Sequence, residues 1–219
     1  NMQMHYDFGH NIYGDELSNR PHLTATIENF TADKWGSTYF FVDGNFADNT
    51  LESAYAEFSR ELRFWKTPIA LHLEYNGGLS GKTGSYNDAY LIGAAWNWSN
   101  KDFSKTFSLQ LLYKYLANQQ IGSKHSWQIT TVWGIHFAKG LCTFSGYADL
   151  WHDHSVTGNL VFSSEPQFWF NLYALDNIDD DFKLSLGTEL ELSKNLVWPA
   201  EGINNKFYAI PTLAIKWQF

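Results

Sequence analysis

Tyr147, Asp149 and Trp151 occupy alternate positions of one segment, and Tyr39, Phe41 and Asp43 repeat the arrangement in another. In extended backbone, residues two apart share a face at a spacing of about 6–7 Å. Each triplet therefore sets a carboxylate acceptor beside aromatic rings. That chemistry stacks a flat solute on a π surface and accepts hydrogen bonds from its hydroxyls. Tyr55, Glu57, Lys114, Trp169 and Glu189 extend the set, and all eleven are candidates for binding and none for catalysis. Two other clusters invite a stronger reading. His152-Asp153-His154 sets two imidazoles on one side of an extended segment, which suits a metal or the acid and base of a hydrolase. It falls beside a long loop, where polar residues are ordinary. Asp179-Asp180-Asp181 has the oxygens for Ca²⁺, yet it reads more simply as a polar turn. Neither is taken as a metal site, and no cofactor is expected.

The elements that must carry these residues are strands. Apolar and polar residues alternate in twelve segments: 2–8, 23–28, 36–43, 51–63, 69–75, 90–96, 107–115, 127–137, 142–151, 167–174, 183–192 and 208–219. Their apolar face, with Leu71, Leu109, Trp133, Leu172 and Leu186, is long and ends in aromatic residues such as Tyr90, Trp96, Trp127 and Trp217. The opposite face holds Asp7, Glu28, Glu61, His72, Glu74, His136, Lys183, Glu191 and Lys216 in addition to the candidates above. A sandwich would turn a face dense in Lys, Glu and Thr to water. A lipocalin-like barrel would close with about eight strands around an apolar interior. A membrane barrel turns the apolar face to lipid, with aromatic girdles at both interfaces.

Composition agrees. Aromatic residues make up 18% of the 219, and charged residues 17%, against about 25% in ordinary globular proteins. Mean hydropathy is −0.33, and no run approaches the roughly 18 apolar residues of a membrane-spanning helix. The net charge of −8 is a poor match for nucleic acid, and the single Cys142 cannot form an internal disulfide. The chain opens at Asn1 without a basic and apolar leader, which says nothing about export. No linker or repeat divides it, so residues 1–219 are read as one barrel domain.

The connections sharpen the expectation. Segments 9–20, 43–50, 76–87, 117–126, 153–160 and 193–205 read as long loops, alternating with short turns near 31–35, 65–68, 99–105, 138–140 and 176–181. Long loops outside and short turns in the periplasm are the outer-membrane arrangement, with both termini on the short-turn side. Arg60, the one charge on an otherwise apolar face, is expected at the periplasmic rim near Lys66-Thr67-Pro68, where its stem can snorkel. The final Ile215-Lys216-Trp217-Gln218-Phe219 alternates and ends on Phe, as outer-membrane barrel signals do.

Tyr39-Phe40-Phe41-Val42-Asp43, Ser145-Gly146-Tyr147-Ala148-Asp149 with Trp151-His152-Asp153, and the opening Gln3-Met4-His5-Tyr6-Asp7-Phe8 together resemble the Tsx-like nucleoside-specific channels. The resemblance implies a closed, twelve-stranded, antiparallel, transmembrane β-barrel of the bacterial outer membrane. It further implies a monomer in contact with membrane lipids, and a lumen whose rings stack on a base while carboxylates meet ribose hydroxyls. Two alternatives stand beside this passive channel: an outer-membrane hydrolase using the His152–His154 loop, and an accessory barrel whose loops bind a partner.

Overall fold

The computed structural model describes residues 1–47, 50–154, 158–179, 181–202 and 204–219. Asp180, and with it part of the acidic run, lies outside the described residues, as do short stretches of the expected loops 43–50, 153–160 and 193–205. The strands are β1 (Met2–Asp7), β2 (Leu23–Asp33), β3 (Gly36–Ala47), β4 (Thr50–Leu62), β5 (Ile69–Ser80) and β6 (Gly84–Ser99). They continue as β7 (Lys105–Leu116), β8 (His125–Phe137), β9 (Cys142–His152), β10 (Leu160–Ser164), β11 (Gln167–Asn171), β12 (Leu184–Lys194) and β13 (Phe207–Trp217). A short helix α1 (Gly9–Tyr13) and a 3-10 turn (Gly14–Leu17) follow β1.

Sequence neighbours pair antiparallel around the sheet, and β1 pairs with β13, so the sheet closes on itself. β10 and β11 both lie between β9 and β12 and form two halves of one crossing, giving twelve crossings among the described residues. Closure matters because an unpaired backbone N–H or C=O in hydrocarbon costs several kcal/mol.

Register fixes the faces. Met4 sits opposite Ile215 and Ala25, all outward, while His5 sits opposite Ala214 and Thr24 on the inner side. β1 alternates strictly, with Met2, Met4 and Tyr6 exposed and Gln3, His5 and Asp7 buried. Ile27, Val42, Phe58, Leu73, Ile92, Leu111, Leu213 and Ile215 continue the exposed band. A water-soluble barrel would invert this order, so the outer face meets lipid. Leu71, Leu109, Trp133 and Leu186 share that outward register. Two aromatic girdles bound the band. Trp35, Phe64, Trp65, Trp98, Phe182 and Trp217 surround the end nearest the termini, and Tyr75, Tyr90, Tyr113 and Trp127 the other. Among the described residues no helix is long and apolar enough to cross a membrane.

Arg60 stands two residues before the end of β4, at the rim bearing the chain termini. It donates to Thr38 Oγ1 at 2.9 Å and grips both oxygens of Asp33, in the β2–β3 hairpin, at 2.9 and 2.8 Å. The charge is thus neutralised at the rim.

Several expectations need correction. Leu172 does not face lipid from a strand: β11 stops at Asn171, and Leu172–Ala174 form a 3-10 turn. The crossing that contains β11 starts earlier than expected, at Leu160, which shortens the supposed 153–160 loop. Its alternation is broken by Glu165-Pro166, where proline has no N–H to give the ladder. Segments 43–50 and 76–87 are not long loops either. β3 and β4 run to Ala47 and from Thr50, and β5 and β6 to Ser80 and from Gly84. In the second case glycines hide the alternation. A Cβ on Gly78 would lie 2.5 Å from Cζ of Tyr86, so that ring fills the place of the missing side chain.

Candidate functional site

All eleven candidate residues stand on the inner face by register. On one wall, Tyr39, Phe41 and Asp43 of β3 lie level with Ser59, Glu57 and Tyr55 of β4. Their rings form a stripe: Tyr39 to Phe41 at 6.2 Å between centroids, Phe41 to Tyr55 at 6.0 Å, and Tyr55 to Tyr86 of β6 at 6.5 Å. Hydroxyls and carboxylates interlock along it. Tyr39 donates to Glu28 at 3.1 Å, Tyr55 to Glu57 at 2.8 Å, and Thr26 to Asp43 at 2.5 Å. On the facing wall β9 carries Tyr147, Asp149 and Trp151. In the closed sheet of twelve crossings β9 stands five crossings from β4 and six from β3, so these walls face one another across the lumen.

Among the described residues, the inward strand lysines Lys114 and Lys216 are each seated on a tryptophan. Lys114 Nζ lies 4.3 Å from the Trp151 ring centre and donates to Gln128 Oε1 at 2.7 Å. Lys216 Nζ lies 4.0 Å from the Trp169 ring. Such contacts contribute about 0.5–2 kcal/mol and hold the ammonium in place. Trp169 is fully buried, with its Nε1 donating to Gln167 Oε1 at 3.0 Å and Gln167 donating onward to Glu189 at 2.6 Å. Trp169 and Glu189 are thereby tied into one network with His5, which meets the Trp169 ring edge-on at 6.0 Å.

Inward carboxylates outnumber inward lysines heavily. Asp7, Glu28, Asp43, Glu57, Glu61, Glu74, Asp149, Glu189 and Glu191 face Lys114 and Lys216. His72 lies between Glu74 at 2.9 Å and Glu61 at 3.5 Å.

The two mouths differ. At the end bearing the termini, a cavity of about 390 Å³ is lined by Glu28, Tyr39, Tyr173, Lys183 and Phe219, so the aromatic stripe opens directly into it. Lys183 precedes β12 and belongs to this mouth rather than to a strand. At the loop end, α1 and the 3-10 turn fold back into the barrel. Leu17 is fully buried against Val197, Tyr208 and Ile210. Glu16 accepts from Lys206 and from the Tyr208 hydroxyl, both at 2.6 Å, and this ammonium and hydroxyl hold its carboxyl below the usual range. Arg20 donates to Asp7 at 2.8 Å and is also bonded to Glu191.

The chain matches along its whole length, residues 1–219, a family described as a domain of unknown function (DUF5020). It belongs to that family. No curated protein matches it. Among solved structures it is similar to the NanC porin, at 12% identity and a TM-score of 0.60, covering 100% of this chain and 98% of the other. It is also similar to the KdgM porin, at 9% identity and a TM-score of 0.54, covering 100% and 97%. At these identities the likeness shows the fold: a closed, twelve-stranded, porin-like barrel of the bacterial outer membrane.

In this DUF5020 barrel the His152–His154 pair does come together, with ring centroids 4.2 Å apart, but away from the lumen. His152 sits at the loop-side rim opposite Leu160, on the outward register. The residues that sequence reasoning passed over are Leu17 and Arg20. Both lie in segment 9–20, where no periodicity marks an inward fold. The local signal was an apolar Leu17 between Glu16 and Ser18, in a loop whose other large apolar residues are Ile12 and Tyr13.

Proposed function

We propose that this barrel is a passive channel for small solutes across the outer membrane, with nucleosides the class its wall suits best. One observation carries the reading: rings and carboxylates alternate on both facing walls, at Tyr39-Phe41-Asp43 and at Tyr147-Asp149-Trp151. A base can stack on a ring while ribose hydroxyls donate to the neighbouring carboxylate. The sequence resemblance to Tsx-like channels and the porin-like fold support it. A KdgM porin has been solved with a disordered oligogalacturonate. Such a polyanion is ill matched to the acidic wall here, which favours a neutral solute. No site for hydrolysis is needed, and the barrel acts alone, as a monomer.

Liposome swelling tests this. Vesicles carrying the protein should swell in uridine or adenosine faster than protein-free vesicles, and faster than in a trisaccharide. Swelling no faster than in protein-free vesicles would reject the channel. Turnover of a nucleoside or ester abolished by His152→Ala would favour the hydrolase instead.

A further inference from the structure

The bases of the inner wall are already engaged. Lys114 and Lys216 are seated on tryptophans, and Arg20 is held between Asp7 and Glu191. Asp43, Glu57 and Asp149 have no cationic side chain within 4 Å among the described residues. Asp43 and Glu57 accept from hydroxyls only. Acceptor oxygens are also left over beside them. Asn76, level with Glu57, and Gln110, one strand from the Asp149–Thr130 pair, are 5% and 7% exposed and face the lumen. Asn76 Oδ1, Gln110 Oε1 and Asp149 Oδ1 find no hydrogen-bond partner among the described residues. The wall therefore offers buried acceptors that lack donors.

The rings point the same way. Where an ammonium is tethered to this wall it sits on an aromatic face, at 4.3 Å for Lys114 and 4.0 Å for Lys216. The Tyr39–Phe41–Tyr55 stripe offers comparable faces beside carboxylates and, among the described residues, has no resident cation. We propose that the lumen is cation-selective, passing small positively charged solutes, organic ammonium ions included, and turning back anions. Asp43, Glu57 and Asp149 are the selectivity residues, and the aromatic stripe is the surface along which a cation moves. Low-dielectric walls focus the field of such groups into the pore, as acidic rings do in cation channels. This rests on the channel reading but not on nucleosides as the solute.

The test is the reversal potential of the whole protein in planar bilayers under a KCl gradient, repeated with choline chloride. The expected potential lies on the cation side in both salts, with cation permeability roughly tenfold above that of chloride. Glu57→Gln should lower the ratio, and Asp43→Asn, Glu57→Gln and Asp149→Asn combined should bring it near unity while unit conductance persists. Asp102→Asn, on a turn outside the lumen, should leave it unchanged. A reversal potential at zero or on the chloride side overturns the selectivity while leaving the channel. A folded triple variant with an unaltered ratio overturns the assignment to these residues. If that variant does not fold, the wild-type sign and Glu57→Gln still decide. Absence of any conductance overturns the channel reading and the selectivity with it.

Discussion

Asp149 joins a carboxylate to rings on either side of it along β9, and its environment sets what its loss should do. It faces the lumen, and among the described residues its Oδ1 finds no hydrogen-bond partner and its carboxylate is in no ion pair, so removing it breaks none. Asp149→Ala should therefore leave the barrel folded and weaken nucleoside block of conductance, and Tyr147→Ala should do the same. A stacked base contributes about 1–3 kcal/mol, so loss of one ring corresponds to roughly tenfold in blocking concentration. Block unchanged in both variants would remove this site and leave the channel. Glu16 gives a pH dependence of definite sign. Its ordinary value is 4.5, and Lys206 and Tyr208 lower it in the fold. The stabilisation it lends the inward-folded turn is thus complete above that value and is lost as pH falls through the folded one. Protection factors of the Leu17 and Ser18 amides, which already correct for intrinsic exchange, should drop only as pH falls below the ordinary carboxylate value and through the lowered folded one. In Glu16→Gln they should be low throughout, and a wild-type protein equally protected at neutral and at acid pH would refute this role of Glu16.

Strands were legible wherever both faces declared themselves. β1, β7, β8 and β13 alternate cleanly, and the pairing of β3, β4, β7, β9, β11 and β12 puts every candidate lumen residue on the inner face. What escaped was decided by partners distant in the chain. β6 begins at Gly84 rather than at Tyr90 because Tyr86 covers the bare backbone of Gly78 on β5, a pairing that no local window contains. β10 and β11 form one crossing only because β9 and β12 bracket both halves. The inward fold of 9–20 depends on Tyr208 and Ile210, nearly the whole chain away. Gly146 marks the break in this wall: its φ is +154°, and a Cβ there would lie 2.5 Å from the Glu165 carbonyl oxygen. Gly146→Ala should destabilise the barrel by about 1–3 kcal/mol, read as a lower urea midpoint for loss of the heat-modifiable folded band. An unchanged midpoint would show that the β10–β11 junction yields freely.

On the scale of the whole molecule, the charge imbalance of the sequence is concentrated where a solute would travel. The outer face has its rim charge neutralised by Asp33, while the inner face keeps Asp43, Glu57 and Asp149 beside aromatic rings and, among the described residues, outside any ion pair. The porin-like closure supplies a narrow lumen, the mouth near the termini opens onto the aromatic stripe, and the opposite mouth is partly filled by Leu17 and its neighbours. These features are what the proposed conduit for small solutes rests on. Single-channel recording of the purified protein in planar bilayers, with and without a nucleoside, tests that most directly. Discrete conductance steps that fall reversibly on adding the nucleoside are expected. A protein that inserts as a folded barrel and gives no steps in any salt would contradict it.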